Sequence, residues 1–224
     1  MENKDGLTPV FFCVPDITGF TKFIATSDIN FSKEVIPALL RKLIEANIIR
    51  MNVGEIEGDA IFFYKSGRLP AVNRVAEQCK HIYKTFSDFL DNLQKSDPEN
   101  YNKYLGDNQL GLKIIIHYGN ISLANIKGRI KLLGEDVIIA HKLLKNGISE
   151  PNYILLTEKY LSKVRNREKL EQWFHWQELH SGFEEYDYIG KVNYRYITLD
   201  EMPFMSDVEL ISNIKSNKKI SLLR

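Results

Sequence analysis

Cysteine, excess charge of one sign and long apolar runs are all scarce in this chain. Two cysteines in 224 residues, Cys13 and Cys79, are too few for a disulfide scaffold. One lies in an apolar run and the other on the apolar stripe of a helix, where a thiol acts as a small hydrophobe, so neither a disulfide nor a cysteine metal site is expected. Lys and Arg number 30 against 29 Asp and Glu. That balance offers no nucleic-acid track and no attraction to an anionic membrane surface. No apolar stretch approaches the roughly 20 residues of a membrane span, and residues 1–5 have no apolar signal core. A reducing cytoplasm is the expected location. The five histidines show no His-x-x-x-His or His/Cys spacing of a zinc site. No internal repeat or low-complexity segment is evident. What is present, 44% hydrophobic and 26% charged residues, belongs to an ordinary soluble globule. The length suits one domain, 1–199, with a C-terminal tail, 200–224.

Periodicity orders the elements. Val10 to Val14 is a buried strand, too short and apolar for a helix. Phe20 to Ala25 reads as a short helix, and Ser32 to Arg50 as an amphipathic one whose first turn Pro37 delays or bends. Asn52 to Lys65 is a hairpin turning at Gly58-Asp59. Val72 to Leu93 carries a continuous apolar stripe at three-four spacing, a long core helix. Asp97-Pro98 breaks the pattern, with one helical turn near Tyr101 to Leu105. Two strands follow, Leu110 to His117 and Asn120 to Ile126, around Tyr118-Gly119. A helix runs from Glu135 to Lys145 and stops at Asn146-Gly147. Tyr153 to Leu156 is a strand, and Thr157 caps a helix reaching about Val164. Phe174 to Leu179, Tyr186 to Ile189 and Asn193 to Leu199 read as closing strands, with a turn at Gly190-Lys191. His117, at a strand end, reads as a partly buried histidine satisfied by backbone. The alternation fits an α/β fold, a ferredoxin-like βαββαβ sandwich.

Two carboxylates stand where chemistry is expected. Asp16 stands at the first strand's carboxyl end, where ligands of open α/β sheets gather. Asp59 sits at the hairpin tip. Should the hairpin lie beside the first strand, two hard oxygen ligands converge near a glycine-containing loop, an arrangement suited to Mg²⁺ shared with substrate phosphates.

Val14-Pro15-Asp16-Ile17-Thr18-Gly19-Phe20-Thr21 and Gly58-Asp59-Ala60 together resemble the catalytic domain of class III nucleotidyl cyclases. That family's first strand ends in Phe-x-Asp-Ile-x-Gly-Phe-Thr, with Val14 here in place of the leading Phe, and its hairpin carries Gly-Asp-Ala. Gly111 to Gly119 is similar to the family's Gly-Ile-His-x-Gly strand, and Leu133-Gly134-Glu135-Asp136-Val137 to its Trp/Phe-Gly-Asp-x-Val helix start. The resemblance covers about Thr8 to Leu199, in order.

The resemblance implies that a ribose 3′-hydroxyl attacks its own α-phosphorus and expels pyrophosphate. Two Mg²⁺ or Mn²⁺ ions would be held by Asp16, Asp59 and the Ile17 carbonyl. Backbone N–H groups of Thr18, Gly19, Phe20 and Thr21 would wrap the triphosphate. Base selection would fall to Glu55, as in guanylyl cyclases, and to Lys131, where adenylyl cyclases carry Asp. A carboxylate accepts from guanine N1–H and N2–H₂, so GTP is favoured over ATP, with a pyrimidine triphosphate left open; alternatively, the two residues are solvated charges or pair with each other. The family's Asn and Arg on the next helix become Ile138 and Lys142, with Asn146 a candidate substitute one turn on. Its γ-phosphate lysine falls near Ile189, leaving Lys191 as a shifted candidate. Because the two halves of such a site come from different subunits, a head-to-tail homodimer is implied, with no nucleic-acid or membrane partner. A non-catalytic nucleotide-binding module of the same fold is the alternative. A diguanylate-cyclase relative fits less well, since Ala60 and Ile61 stand where a second acid and Phe belong, and the aromatic-and-basic strand signature of RNA-binding sandwiches is missing.

Overall fold

A computed structural model describes residues 6–106, 110–165, 173–174 and 178–199. In chain order the elements are β1 (Thr8–Thr18), α1 (Phe20–Thr26), α2 (Ile29–Glu45), β2 (Asn52–Glu57), β3 (Ala60–Ser66), α3 (Val72–Ser96), α4 (Pro98–Tyr104), β4 (Gly111–Ile126), β5 (Arg129–Leu133), α5 (Glu135–Lys142), β6 (Tyr153–Thr157), α6 (Glu158–Leu161), β7 (His180–Tyr186) and β8 (Gly190–Thr198). A 3-10 turn, Leu143–Lys145, continues α5. The strands form one sheet in the order β2-β3-β1-β4-β6-β8-β7, with β5 folded back on β4. Its first four strands with α1, α2 and α3 are the expected ferredoxin-like βαββαβ core.

Period-two alternation along β1 divides the interior. Phe11, Cys13 and Ile17 face a core built with α2, α3 and α6. Val10, Phe12 and Val14 face a second core with α5, to which Phe62, Ile115 and Leu155 also belong. Asp16 has the parity of the second set. Burial of both faces explains why β1 reads as a continuous apolar run.

Several expected boundaries move, each for a local reason. The α2 helix begins at Ile29, because the Asp28 side chain caps the Asn30 N–H at 2.8 Å, and Pro37 lies inside it. Pro98 opens α4 as its first residue, where a missing N–H costs nothing. Tyr118-Gly119 is no turn: β4 runs unbroken through it, and the reversal comes at Lys127-Gly128, both with positive φ. Gly119 is needed for another reason, since a Cβ there would stand 1.9 Å from Asp136 Cγ. Tyr186 to Ile189 is likewise not a strand of its own. Tyr186 ends β7, residues 187–189 form the turn, and Gly190 and Lys191 already belong to β8. Tyr188 and Gly190, at φ 67 and 83, make that reversal. Of the expected Phe174–Leu179 strand, residues 175–177 lie outside the described residues, as does the tail from 200 onward, and Phe174, 178 and 179 are not in a strand.

Candidate active site

Antiparallel pairing of β1 with β3 sets Asp16 opposite Ala60, the residue after Asp59. The Glu57–Ala60 pair closes the β2–β3 hairpin on Gly58-Asp59, and Gly58, at φ 58, supplies the left-handed residue. A Cβ on Gly58 would come within 3.9 Å of the Phe20 ring, so the hairpin tip and the start of α1 are neighbours. Gly19, at φ 80, forms the left-handed residue between β1 and α1. The two predicted carboxylates are therefore neighbours and line one cleft.

Electrostatics here are under-compensated. Burial first, and the adjacent Asp16 second, raise the Asp59 carboxyl to about 7. The nearest cation is Lys113 on β4, whose Nζ lies 2.8 Å from Asp16 Oδ2 and donates to the Leu144 carbonyl at 2.6 Å. The buried Asp16 and the half-buried Asp59 share that ammonium, and a hard dication suits such an oxygen-lined cradle. Asp16, Glu57, Asp59, His141, Lys142 and Lys145 line a cleft of about 480 Å³.

A second cleft of about 330 Å³ shares Glu57, His141 and Lys142 with the first and adds Glu55 and Lys131. Lys131 donates to Glu55 Oε2 at 2.8 Å, so these two residues pair across β5 and β2. Glu55 Oε1 lies 3.2 Å from His141 Nε2, and His141 Nδ1 lies 3.0 Å from Glu57 Oε2. The imidazole stacks on Phe62, with ring centroids 3.8 Å apart.

Other predicted residues are placed differently. The Thr18 hydroxyl donates to the Pro151 carbonyl at 2.7 Å. Asn146 caps the 3-10 turn through the Leu143 carbonyl at 2.7 Å, and its amide also meets the Tyr153 hydroxyl and the Ile148 N–H. Ile138 is half exposed. Lys142 lines both clefts, with Nζ 5.2 Å from the Tyr186 ring centroid. Lys191 sits in β8 opposite Glu185, over the Phe183 ring at 3.9 Å. Two strands, β4 and β6, separate β8 from the β1 strand of Asp16, so Lys191 is not gathered with Asp16 within one chain.

Lys113, Glu57 and His141 were not expected in the site. A lone lysine between Leu112 and Ile114 in a buried strand was the available signal for the first. His117 also has unexpected partners, being held by side chains rather than backbone. Its Nδ1 lies 2.9 Å from Thr157 Oγ1 and its Nε2 3.0 Å from Asp136 Oδ1, with Lys159 and the Asn120 N–H on the same carboxylate. This network is closed and lines neither cleft.

The fold is that of class III adenylyl and guanylyl cyclase catalytic domains. Guanylyl cyclase Cya2 superposes with a TM-score of 0.62 at 11% identity, over 89% of this chain and 97% of that one. Adenylyl cyclase CyaB from P. aeruginosa gives 0.60 at 12%, over 88% and 98%. The catalytic core of a rhodopsin-guanylyl cyclase with converted specificity, in complex with ATPαS, gives 0.56 at 12%, over 85% and 96%. Residues 36–153 match the family described as protein of unknown function DUF2652, and the chain belongs to it. The uncharacterized protein Rv2561/Rv2562 of Mycobacterium tuberculosis is 28% identical over 108 residues. That match spans 48% of this chain and half the length of that relative. No helix among the described residues is long and apolar enough to cross a membrane.

Proposed function

We propose that this chain converts a nucleoside triphosphate, GTP in preference to ATP, to the 3′,5′-cyclic nucleotide and pyrophosphate, as two copies joined head to tail. The observation that carries this reading is the placement of Asp16 and Asp59 as neighbours in one cleft, beside the left-handed Gly19 turn and the start of α1. Asp16, Asp59 and the Ile17 carbonyl would hold Mg²⁺ or Mn²⁺, which neutralises phosphate charge and lowers the proton affinity of a hydroxyl. Backbone N–H groups at residues 18–21 face the triphosphate, while Lys142, on the rim of both clefts, adds positive charge. Glu55 reads the guanine edge once the base displaces Lys131. Lys191 reaches the phosphates only from the partner copy, which is one reason to invoke the dimer. The buried, unpaired Cys13 and Cys79 suit a reducing cytoplasm.

A specific observation favours a second reading, a nucleotide-binding module without turnover. Ile138 cannot hydrogen-bond, and the Asn146 amide is engaged in its cap. The loss of one preorganised donor commonly costs on the order of 10² to 10³ in rate. Incubating the full chain with each of the four ribonucleoside triphosphates and Mn²⁺, followed by mass spectrometry, separates the readings. Cyclic guanosine monophosphate that disappears in Asp16→Ala supports the cyclase. Binding without pyrophosphate release supports the module.

A further inference from the structure

We propose that Glu55, Glu57 and His141 bind a transition-metal dication of the Zn²⁺ type, at a site separate from the Asp16–Asp59 pair. The two glutamates are two residues apart on β2 and so leave the strand on one face. His141 meets them from α5. One ligand atom from each of the three lies within 4.8 Å of the others. A single ion with bonds of roughly 2.0–2.2 Å spans that spread after small side-chain adjustments.

The imidazole itself points to a cation. Both of its nitrogens face carboxylate oxygens, at 3.2 and 3.0 Å. A neutral imidazole has one N–H and one lone pair. A doubly protonated ring would donate to both carboxylates, whereas in either neutral tautomer a lone pair faces a carboxylate at contact distance, a contact that a bound dication relieves. Stacking on Phe62 fixes the ring in this orientation and offers its nitrogens no alternative partner. The local charge leaves room for an ion, because Lys131 offsets only one of the two glutamates. The adjoining cleft of about 330 Å³ supplies access and space for water at the remaining positions. Nitrogen in the ligand set favours Zn²⁺ and its neighbours over Mg²⁺, which prefers oxygen ligands alone. Such an ion ties β2 to α5 and closes one wall shared by the two clefts. Because Glu55 is also the residue proposed to read the base, the ion and a bound guanine compete for it, and metal uptake by the nucleotide-free chain does not depend on turnover.

The test uses the full chain carrying Asp16→Asn and Asp59→Asn, which removes the carboxylate pair, stripped with chelator and titrated calorimetrically with Zn²⁺ or Mg²⁺. One equivalent of Zn²⁺ is expected, bound at least tenfold tighter than Mg²⁺. Adding His141→Phe, which keeps a ring against Phe62, is expected to weaken Zn²⁺ at least tenfold and to abolish the visible absorption of Co²⁺ loaded in its place. Glu57→Gln, on a half-exposed side chain, has the same expected loss and serves if the phenylalanine variant does not fold. Absence of Zn²⁺ uptake by the double variant, or uptake unchanged by both further substitutions, overturns the proposal.

Discussion

Asp136 and Asp59 are carboxylates on the same side of one sheet, yet their protons are held in opposite ways. Asp136 is almost fully buried, and burial alone would raise its carboxyl. Hydrogen bonds from His117, Lys159 and the Asn120 N–H together outweigh that and hold it at about 2. Asp59 is less buried but faces Asp16, and it rises to about 7. The first carboxylate finds every partner it needs within the fold. The second is left with a like charge and a share of one lysine, a deficit that a bound cation would cancel. Satisfied polar networks rigidify a core, whereas an under-compensated pair at a cleft marks where a ligand is expected.

The sharpest way to break the satisfied side is Gly119→Ala. Its Cβ would overlap the Asp136 carboxyl, so the network must be expelled or β4 displaced. The expected loss is about 4 kcal/mol or more, from overpacking together with a broken buried pair. Urea denaturation measures it. Asp136→Asn comes next, at about 3 kcal/mol, since it leaves Lys159 facing an amide and takes the charge from His117. The pH dependence has a definite sign. The folded value, near 2, lies below the reference of 3.8, so the stabilisation is present above about pH 4 and lost as pH falls through 2. Asp136→Asn should lack that acid limb, and a midpoint that moves with pH as in the parent chain would contradict the assignment.

On the under-compensated side the larger effect belongs to Lys113→Met. It leaves the buried Asp16 and the half-buried Asp59 without their ammonium, at an expected cost of about 2 kcal/mol in chelator. If Asp16 and Asp59 hold Mg²⁺ or Mn²⁺, adding Mn²⁺ restores more stability to this variant than to the parent, as read by thermal melting. Equal shifts would argue that the pair does not hold the ion.

This contrast also separates what the chain's local patterns reveal from what they hide. The motif around Asp16, the Gly58-Asp59 turn and the long stripe of α3 each depend on neighbours within a few residues, and all three are where the patterns put them. Gly119 misleads because glycine serves two purposes. Read locally it signals a turn, but here it clears space for a side chain 17 positions later. Helical spacing put His141 on an inward face beside Val137 and Ala140, but its partners Glu55 and Glu57 come from a strand more than 80 residues earlier. The pairing of Glu55 with Lys131 was open for the same reason. Only the fold of β5 back onto β4, beside β2, brings them together. Register across a sheet is a tertiary property, and no window of sequence contains it.

The smallest expected effect tests the under-compensated pair most directly. In Asp59→Asn the side chain keeps its shape and loses its charge. The parent's folded value, near 7, lies above the reference of 3.8. Between about pH 4 and 7 the folded chain therefore binds more protons than the unfolded one, and stability falls as pH rises through that window. Above 7 the penalty is complete. Asp59→Asn should then melt at the same temperature as the parent near pH 4 and a little higher at pH 8 in chelator. Saturating Mn²⁺ reverses the order at pH 8, because the parent gains a ligand that the variant holds poorly. A parent more stable than Asp59→Asn at pH 8 without metal would mean that Lys113 already balances both carboxylates, and the contrast with Asp136 would vanish.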